Sequence, residues 1–551
     1  MTEPIVRTEA LGGSELARAA MDGRLGDWYA ARPTTAQGWK ARADAIRGSA
    51  KQQRWLDALR PAFAATGAAA SRLERVVEGR GVVVTTGQQP GLFGGPIYTW
   101  SKALSALALA DEIEAATGVP TAPVFWAAND DADFAEASWT AVAMPGGAER
   151  LALTAPVPVG RPMSDMPLGD ASAALLELER ACGATIDPSA LVAVREAYHA
   201  GATVGSAYLN LLRAMFEPLG IAVLDAAHSS VGAAMRPLLV RALDRATDVA
   251  SALKARDSAI ASGGFSTQVI EVEGLSLVFE RPTGAGDKRR IPLGEATTAA
   301  AGAQGILSPN VLLRPVLERA LLPTVSYVAG PGELAYFAQV SAVATALDLD
   351  VPMVVPRWST TILEPHVVRI LSRLGIEEEE LADPHRVEGR LARNAVPRGI
   401  SDALGALRAD LDAKSRALAA AAQDAAYAMT DVVEGMRKNL QHRLGRLDRR
   451  IVAAVKRREH DTMTQVGTVR GSLYPLGTRQ ERALNMMPLL ARHGAVIVER
   501  MRSAAAAHAR ALVGTRAADD RPASAPRTSR GSASDKRTTD ARGDPESAAG
   551  A

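Results

Sequence analysis

Residues 81–87 (GVVVTTG), 97–118 (IYTWSKALSALALADEIEAATG) and 122–131 (APVFWAANDD) follow one another as a β-branched run, a long apolar helix closed by glycine, and a second apolar run ending in acids. Strand, helix, strand in that order is a βαβ unit, which requires parallel strands joined by a right-handed crossover. The same grammar returns in residues 221–226 (IAVLDA), in 324–347 (TVSYVAGPGELAYFAQVSAVATAL) and in 351–359 (VPMVVPRWS). The predicted fold is therefore α/β, with a mostly parallel sheet interrupted by insertions. One interruption, residues 266–282 (STQVIEVEGLSLVFERP), alternates about a Glu-Gly pair and reads as a β-hairpin from Thr267 to Glu280.

Texture divides the rest. A chain of 551 residues exceeds one core. Residues 1–80 read as a helical segment joined to the core, and 81–375 as the α/β core with insertions at roughly 140–220 and 255–305. Between Arg398 and Tyr474 there is no proline, and Leu404, Leu407, Leu411, Leu418, Ala422, Ala425, Met429, Val432, Met436, Leu440, Leu444, Leu447 and Ile451 fall mostly three or four apart. That seam fits a long helical hairpin packed on its own protein or a dimer-forming coiled coil. Residues 376–514 are read as this helical region with its return to the core. Residues 515–551, polar and rich in Pro, Ser and Gly, are too poor in apolar side chains to fold and are expected to be disordered.

The loops carry the chemistry. Thr85–Pro96 (TTGQQPGLFGGP) leaves a strand end and enters a helix at proline. It reads either as a cradle for a phosphate or carboxylate, with Gly94 and Gly95 allowing close approach and Gln88 and Gln89 adding amides, or as a tight structural turn. Ala329–Tyr336 (AGPGELAY) offers the same alternatives, with Glu333 in the first turn of its helix. Beyond the strand PVFWAA lie Asp130, Asp131 and Asp133, which could hold an amine, sugar hydroxyls or a divalent metal, act as a base, or cap a helix in solvent. GxxxxGK[ST], GxGxxG and GxSxG are missing, and the eight histidines show no HExxH or His-x-His spacing, so no zinc site is expected. A balance of 63 basic against 61 acidic residues gives no electrostatic case for nucleic acid, and 4% aromatics none for a stacking platform. Cys182 stands alone, which predicts a buried thiol in a reducing compartment. With no signal-like N-terminus and no run of about 18 apolar residues, the expected location is cytoplasmic, away from the membrane.

Together, residues 86–110 (TGQQPGLFGGPIYTWSKALSALALA), PVFWAANDDADF, residues 308–339 (SPNVLLRPVLERALLPTVSYVAGPGELAYFAQ), VPMVVPRWS and SLYPLGTRQER resemble the cysteine-adding enzymes of bacillithiol biosynthesis, in order from about residue 80 to 490. The resemblance implies a Rossmann-like core related to class I nucleotidyl-transferring enzymes, with inserted connecting segments and a C-terminal coiled coil that forms a homodimer. It implies a ligase joining the carboxyl of L-cysteine to the amine of glucosaminyl malate. Gly87, Gln88, Gln89, Gly94 and Gly95 would line the core pocket, with Asp131 and Asp133 as candidate catalytic acids beside it. Gly330, Gly332 and Glu333 would form the opposite wall, and Tyr474, Gln480 and Arg482 are further candidates. Ala132 stands where members of that family often carry histidine, so that position supplies no base here. The HIGH and KMSKS signatures are missing, so ATP with Mg follows from the chemistry of amide formation and from no motif. Two other readings share this fold: another nucleotidyltransferase-like ligase of an amino acid with an amino sugar, and a non-catalytic metabolite-binding dimer.

Overall fold

The computed structural model describes residues 3–48, 55–157, 159–282, 287–302, 304–383 and 385–515. It opens, within the segment read as wholly helical, on a strand, β1 (Ile5–Glu9), before helices such as Ala36–Arg47 and Gly67–Glu78. Five residues without a visible partner carry no periodic signal; their partner lies at the other end of the core. Next come β2 (Val82–Gln88) and β3 (Thr121–Ala127), then a hairpin of β4 (Trp139–Met144) and β5 (Gly147–Ala152) inside the first insertion. After β6 (Ala222–Asp225), the second insertion builds a three-stranded sheet from β7 (Leu275–Arg281), β8 (Arg289–Pro292) and β9 (Ile306–Pro309). Then follow β10 (Thr324–Ala329), β11 (Val354–Pro356) and β12 (Ser359–Leu363), the last pairing antiparallel with β1.

The expected hairpin from Thr267 to Glu280 is not formed. Glu273 and Gly274 lead into a single strand, β7, whose partners are β8 and β9. Val269 is held instead by the buried Gln339 amide, which accepts from its N–H at 3.3 Å and donates to its carbonyl at 2.8 Å.

The core sheet is parallel throughout in the order β11-β10-β2-β3-β6. Its strands read as apolar runs because both faces are covered. Val82, Val84, Phe125 and Val223 pack to one side, and Val83, Val124, Trp126 and Leu224 to the other, the period-2 signature of a two-faced sheet. The chain runs outward from β2 through β3 to β6, then returns to the other flank with β10. The order therefore reverses between β2 and β10, and a ligand crevice belongs beyond their carboxyl ends.

Helices Arg398–Asp424 and Thr430–Arg458 fold back on each other, tied by Arg437–Asp412 (2.9 Å) and Arg408–Asp448 (3.4 Å). Ser415 and Val433 are their buried residues, whereas Leu407, Leu418 and Val432 are 50%, 51% and 60% exposed. The helix His460–Leu473 returns against β5 so closely that a Cβ on Gly471 would sit 2.1 Å from the Gly147 backbone. The last helix, Ala495–Val513, packs along Ile97–Thr117, and Met1–Thr515 form one compact unit. Residues 516–551 of the tail expected to be disordered lie outside the described residues. Cys182 is buried and burial pushes its thiol up to about 11. No helix among the described residues is long and apolar enough to cross a membrane.

Glu364 staples the coiled-coil end to this return. Its carboxylate accepts both forks of Arg492 at 2.8 Å, and His493 Nε2 lies 2.9 Å away. Burial alone would raise it, but His493 and Arg492 outweigh that and hold the carboxyl at about 2. A depressed folded-state pKa contributes stability above the unfolded value and loses it as pH falls. Wild type should thus lose about 3 kcal/mol more than Glu364→Gln between about pH 4.5 and pH 2, measured by denaturant titration at each pH. Equal acid sensitivity of the two proteins would refute this.

Candidate functional site

A cavity of about 890 Å³ lies where the switch point places it. Gly87, Gln88 and Gln89 reach it from β2, Asp130 and Asp131 from the end of β3, and Gly330, Gly332 and Glu333 from β10 and the start of the helix Pro331–Ala346. The two glycine loops thus share one crevice. Gly87 must be small: a Cβ there would lie 2.9 Å from Trp126 O and 3.5 Å from Arg314 Nη1.

Lys102, in the second turn of Ile97–Thr117, joins the loops. Its Nζ donates to Gly87 O at 2.7 Å and to Gln88 Oε1 at 3.0 Å, and pairs with Glu333 Oε2 at 2.6 Å. Three acceptors around one ammonium favour the charged form, although burial lowers the lysine pKa. Burial likewise works against ionised Glu333, but Lys102, the Gly330 N–H and the Tyr327 hydroxyl outweigh it and hold the carboxyl below its ordinary range.

The acid cluster is divided in its work. Asp131 accepts from Gln89 Nε2 at 2.5 Å and from the Asp133 N–H at 3.0 Å. Asp133 is exposed and caps the short helix Phe134–Ala137 through the Glu136 N–H at 3.0 Å; it does not line the cavity. Asp130 is engaged by Lys288 of the second insertion, which donates to its carbonyl and lies 3.8 Å from its carboxylate. That insertion forms a further wall, where Glu271 accepts from Arg290 at 2.6 Å and from Asn310 at 3.1 Å.

Gly94 and Gly95 lie elsewhere. Both take positive φ (87° and 75°), and the buried Asn485 donates to the carbonyls of Leu92, Phe93 and Gly95 at 3.0–3.2 Å. The start of the helix that follows is partly occupied, since the Ile97 N–H bonds Leu484 O at 2.8 Å. These glycines shape the turn.

The TRQER stretch is likewise split. Gln480 is buried and brackets Ile362, accepting from its N–H at 2.7 Å and donating to its carbonyl at 2.8 Å, while Tyr474 is half-buried away from the cavity. Arg482 lines the cavity, with no side-chain hydrogen bond or ion pair among the described residues. Glu481 between them takes both forks of Arg357 at 2.7 Å and also accepts from Ser359 Oγ at 2.8 Å. Arg357 lines the cavity and lies 5.9 Å from the Tyr98 ring centroid.

Lys102, Arg314, Arg357 and Glu481 were missed by sequence reasoning. All four sat inside stretches already singled out: Lys102 in residues 86–110, Arg314 in 308–339, Arg357 in VPRWS and Glu481 in TRQER. Arg314 is loosely held, 3.5 Å from both Glu318 Oε2 and Tyr327 Oη, and burial pushes Glu318 up to about 7. The lining carries six bases (Lys102, Lys288, Arg290, Arg314, Arg357, Arg482) and six acids (Asp130, Asp131, Glu136, Glu271, Asp287, Glu333). Such a balance suits small ligands bearing both signs better than a polyanion.

Comparison with known proteins agrees with this architecture. The model described as "Bacillithiol biosynthesis BshC, N-terminal Rossmann-like domain" matches residues 17–278 and 294–358, and that described as "Bacillithiol biosynthesis BshC, C-terminal coiled-coil domain" matches 360–510. A protein of Solibacter usitatus is 30% identical over 453 residues, 77% of this chain and 82% of its own length. One of Koribacter versatilis is 30% identical over 472 residues (82% and 86%), and one of Geobacillus kaustophilus 29% over 482 (81% and 86%). Each bears the name "Putative cysteine ligase BshC". With both domains matched in order and nearly the whole described chain covered, this protein belongs to the BshC family of bacillithiol biosynthesis.

Proposed function

We propose that the chain is a ligase that joins the carboxyl of L-cysteine to the amine of glucosaminyl malate, forming bacillithiol. The observation that carries this reading is the crevice at the switch point, where two glycine loops locked by Lys102 and Glu333 face a lining of acids and bases in equal number. Its mixed charge suits a zwitterionic amino acid and an amino sugar bearing carboxylates. In this reading Gly87, Gln88, Gln89, Gly330, Gly332 and Arg482 hold the anionic part of a ligand, and Asp131 orients the amine. A free carboxylate and an amine do not condense readily in water, so the carboxyl is activated first, with ATP and Mg as the candidate donor. The exposed apolar side chains of the helical hairpin support a homodimer formed through it.

Purified protein incubated with L-cysteine and glucosaminyl malate, with and without Mg-ATP, tests this by mass spectrometry. The expected result is bacillithiol only with the nucleotide. No product under either condition would reject the proposed substrates or donor. Asp131→Asn is expected to lower turnover about 10- to 100-fold. The same change at Asp133, whose carboxylate is spent on the helix cap, should cost an order of magnitude less; equal losses would put both in the chemistry.

A further inference from the structure

We propose that Glu136 faces the substrate amine and takes its proton, an assignment that rests on the ligase reading above. Glu136 lies in the short helix Phe134–Ala137, one turn past the acid cluster, and lines the cavity with Tyr98, Lys102 and Arg482. An acid at that place in a sequence reads as an ordinary first-turn helix residue.

A proton acceptor needs a carboxylate whose lone pairs are free and whose basicity has not been suppressed. Glu333 is committed to Lys102, Tyr327 and the Gly330 N–H, Glu271 to Arg290 and Asn310, and Asp131 to Gln89 and a backbone N–H. Asp130 is engaged by Lys288. Glu136 has no side-chain hydrogen bond or ion pair among the described residues, and its own N–H is what Asp133 caps, so the cluster positions its backbone while leaving its carboxylate open. Glu136 is itself exposed; Asp287, the other open carboxylate of the lining, differs in sitting on the second insertion against Gly160 rather than on the helix beyond β3.

The surroundings also favour a base. Although Glu136 is exposed, partial desolvation in the crevice, then the negative charges of Asp133 and Asp131, raise its carboxyl above the ordinary value, and Lys102 and Arg482 oppose them. The Tyr98 and Tyr208 hydroxyls complete the titratable groups around it. A glucosamine nitrogen near neutrality is largely an ammonium, which cannot attack a carbonyl. The step balances simply: R–NH3+ and the Glu136 carboxylate give R–NH2 and the Glu136 carboxylic acid. One N–H bond breaks, one O–H bond forms, and the nitrogen keeps its electron pair for the activated acyl carbon.

Glu136→Gln keeps the shape and removes the acceptor. Turnover at pH 7 should fall about 100-fold, the deficit shrinking as pH rises past the ammonium pKa, where free amine needs no acceptor. Glu136→Asp should recover part of the loss. A second readout needs no turnover: calorimetric affinity for glucosaminyl malate against its N-acetyl analogue, expected to differ at least about 10-fold in wild type and to converge in Glu136→Gln. Wild-type turnover in Glu136→Gln, or a loss equal at every pH, would overturn the assignment. A wild type that binds but makes no product would sink the ligase reading instead, and the affinity ratio alone would then decide. A ratio near one in wild type rejects Glu136 as the amine's partner, and a ratio abolished by Glu136→Gln upholds it.

Discussion

Glu481→Ala is expected to destabilise the protein by about 3–5 kcal/mol, the largest single-site effect the structure points to. The Arg357 and Glu481 side chains are 2% and 4% exposed, and each satisfies the other through two bonds of 2.7 Å. Removing the carboxylate strands a guanidinium that cannot lose its proton and leaves Ser359 Oγ and the Thr360 N–H without their acceptor. The pair itself is a different matter. Its attraction is largely offset by the desolvation of both ions, so Arg357→Met with Glu481→Leu should recover most of the loss. Denaturant melts of the three variants measure this. A single-variant loss below about 1 kcal/mol would show that water reaches the pair.

Lys102→Met should reduce turnover at least about 100-fold, because it cuts the tie between the two glycine loops and frees the β2 loop. Methionine fills the space but drops all three contacts, to Gly87, Gln88 and Glu333. Glu333 keeps the Gly330 N–H and Tyr327 Oη, so its helix start stays capped while the β2 loop loses its anchor. The loss should therefore appear in activity more than in folding, with ligand protection against proteolysis at Gly87–Gln89 reduced. Wild-type rates in this variant would remove the lysine from the working geometry.

Much of the core was legible because it rests on local grammar. A strand followed by a glycine loop and a helix signals a crossover wherever it falls, and two such loops in one parallel sheet converge once the strand order is fixed. The hairpin from Thr267 to Glu280 failed for the complementary reason. Its alternation was real, but Gln339, some 70 residues away, claims the backbone of Val269. The same limit hid a buried ion pair at the site. Arg357 and Glu481 lie 124 positions apart, and nothing local in VPRWS or TRQER says that they meet. Gly94 and Gly95 misled because a turn built for Asn485 and a turn built for a ligand use the same residue.

The β1–β12 ladder sets a timetable for making this protein. Arg7 and Thr360, joined across it, are 353 positions apart, so at about 5–20 residues per second a nascent Ile5–Glu9 waits roughly 20–70 s for its partner. The ladder also falls at the border between the two matched domains, residues 358 and 360, and Gln480 and Glu481 close over it from still later in synthesis. A ribosome that stops short of Gln480 would release a chain whose first strand has its partner but lacks the side chains that close over that partner.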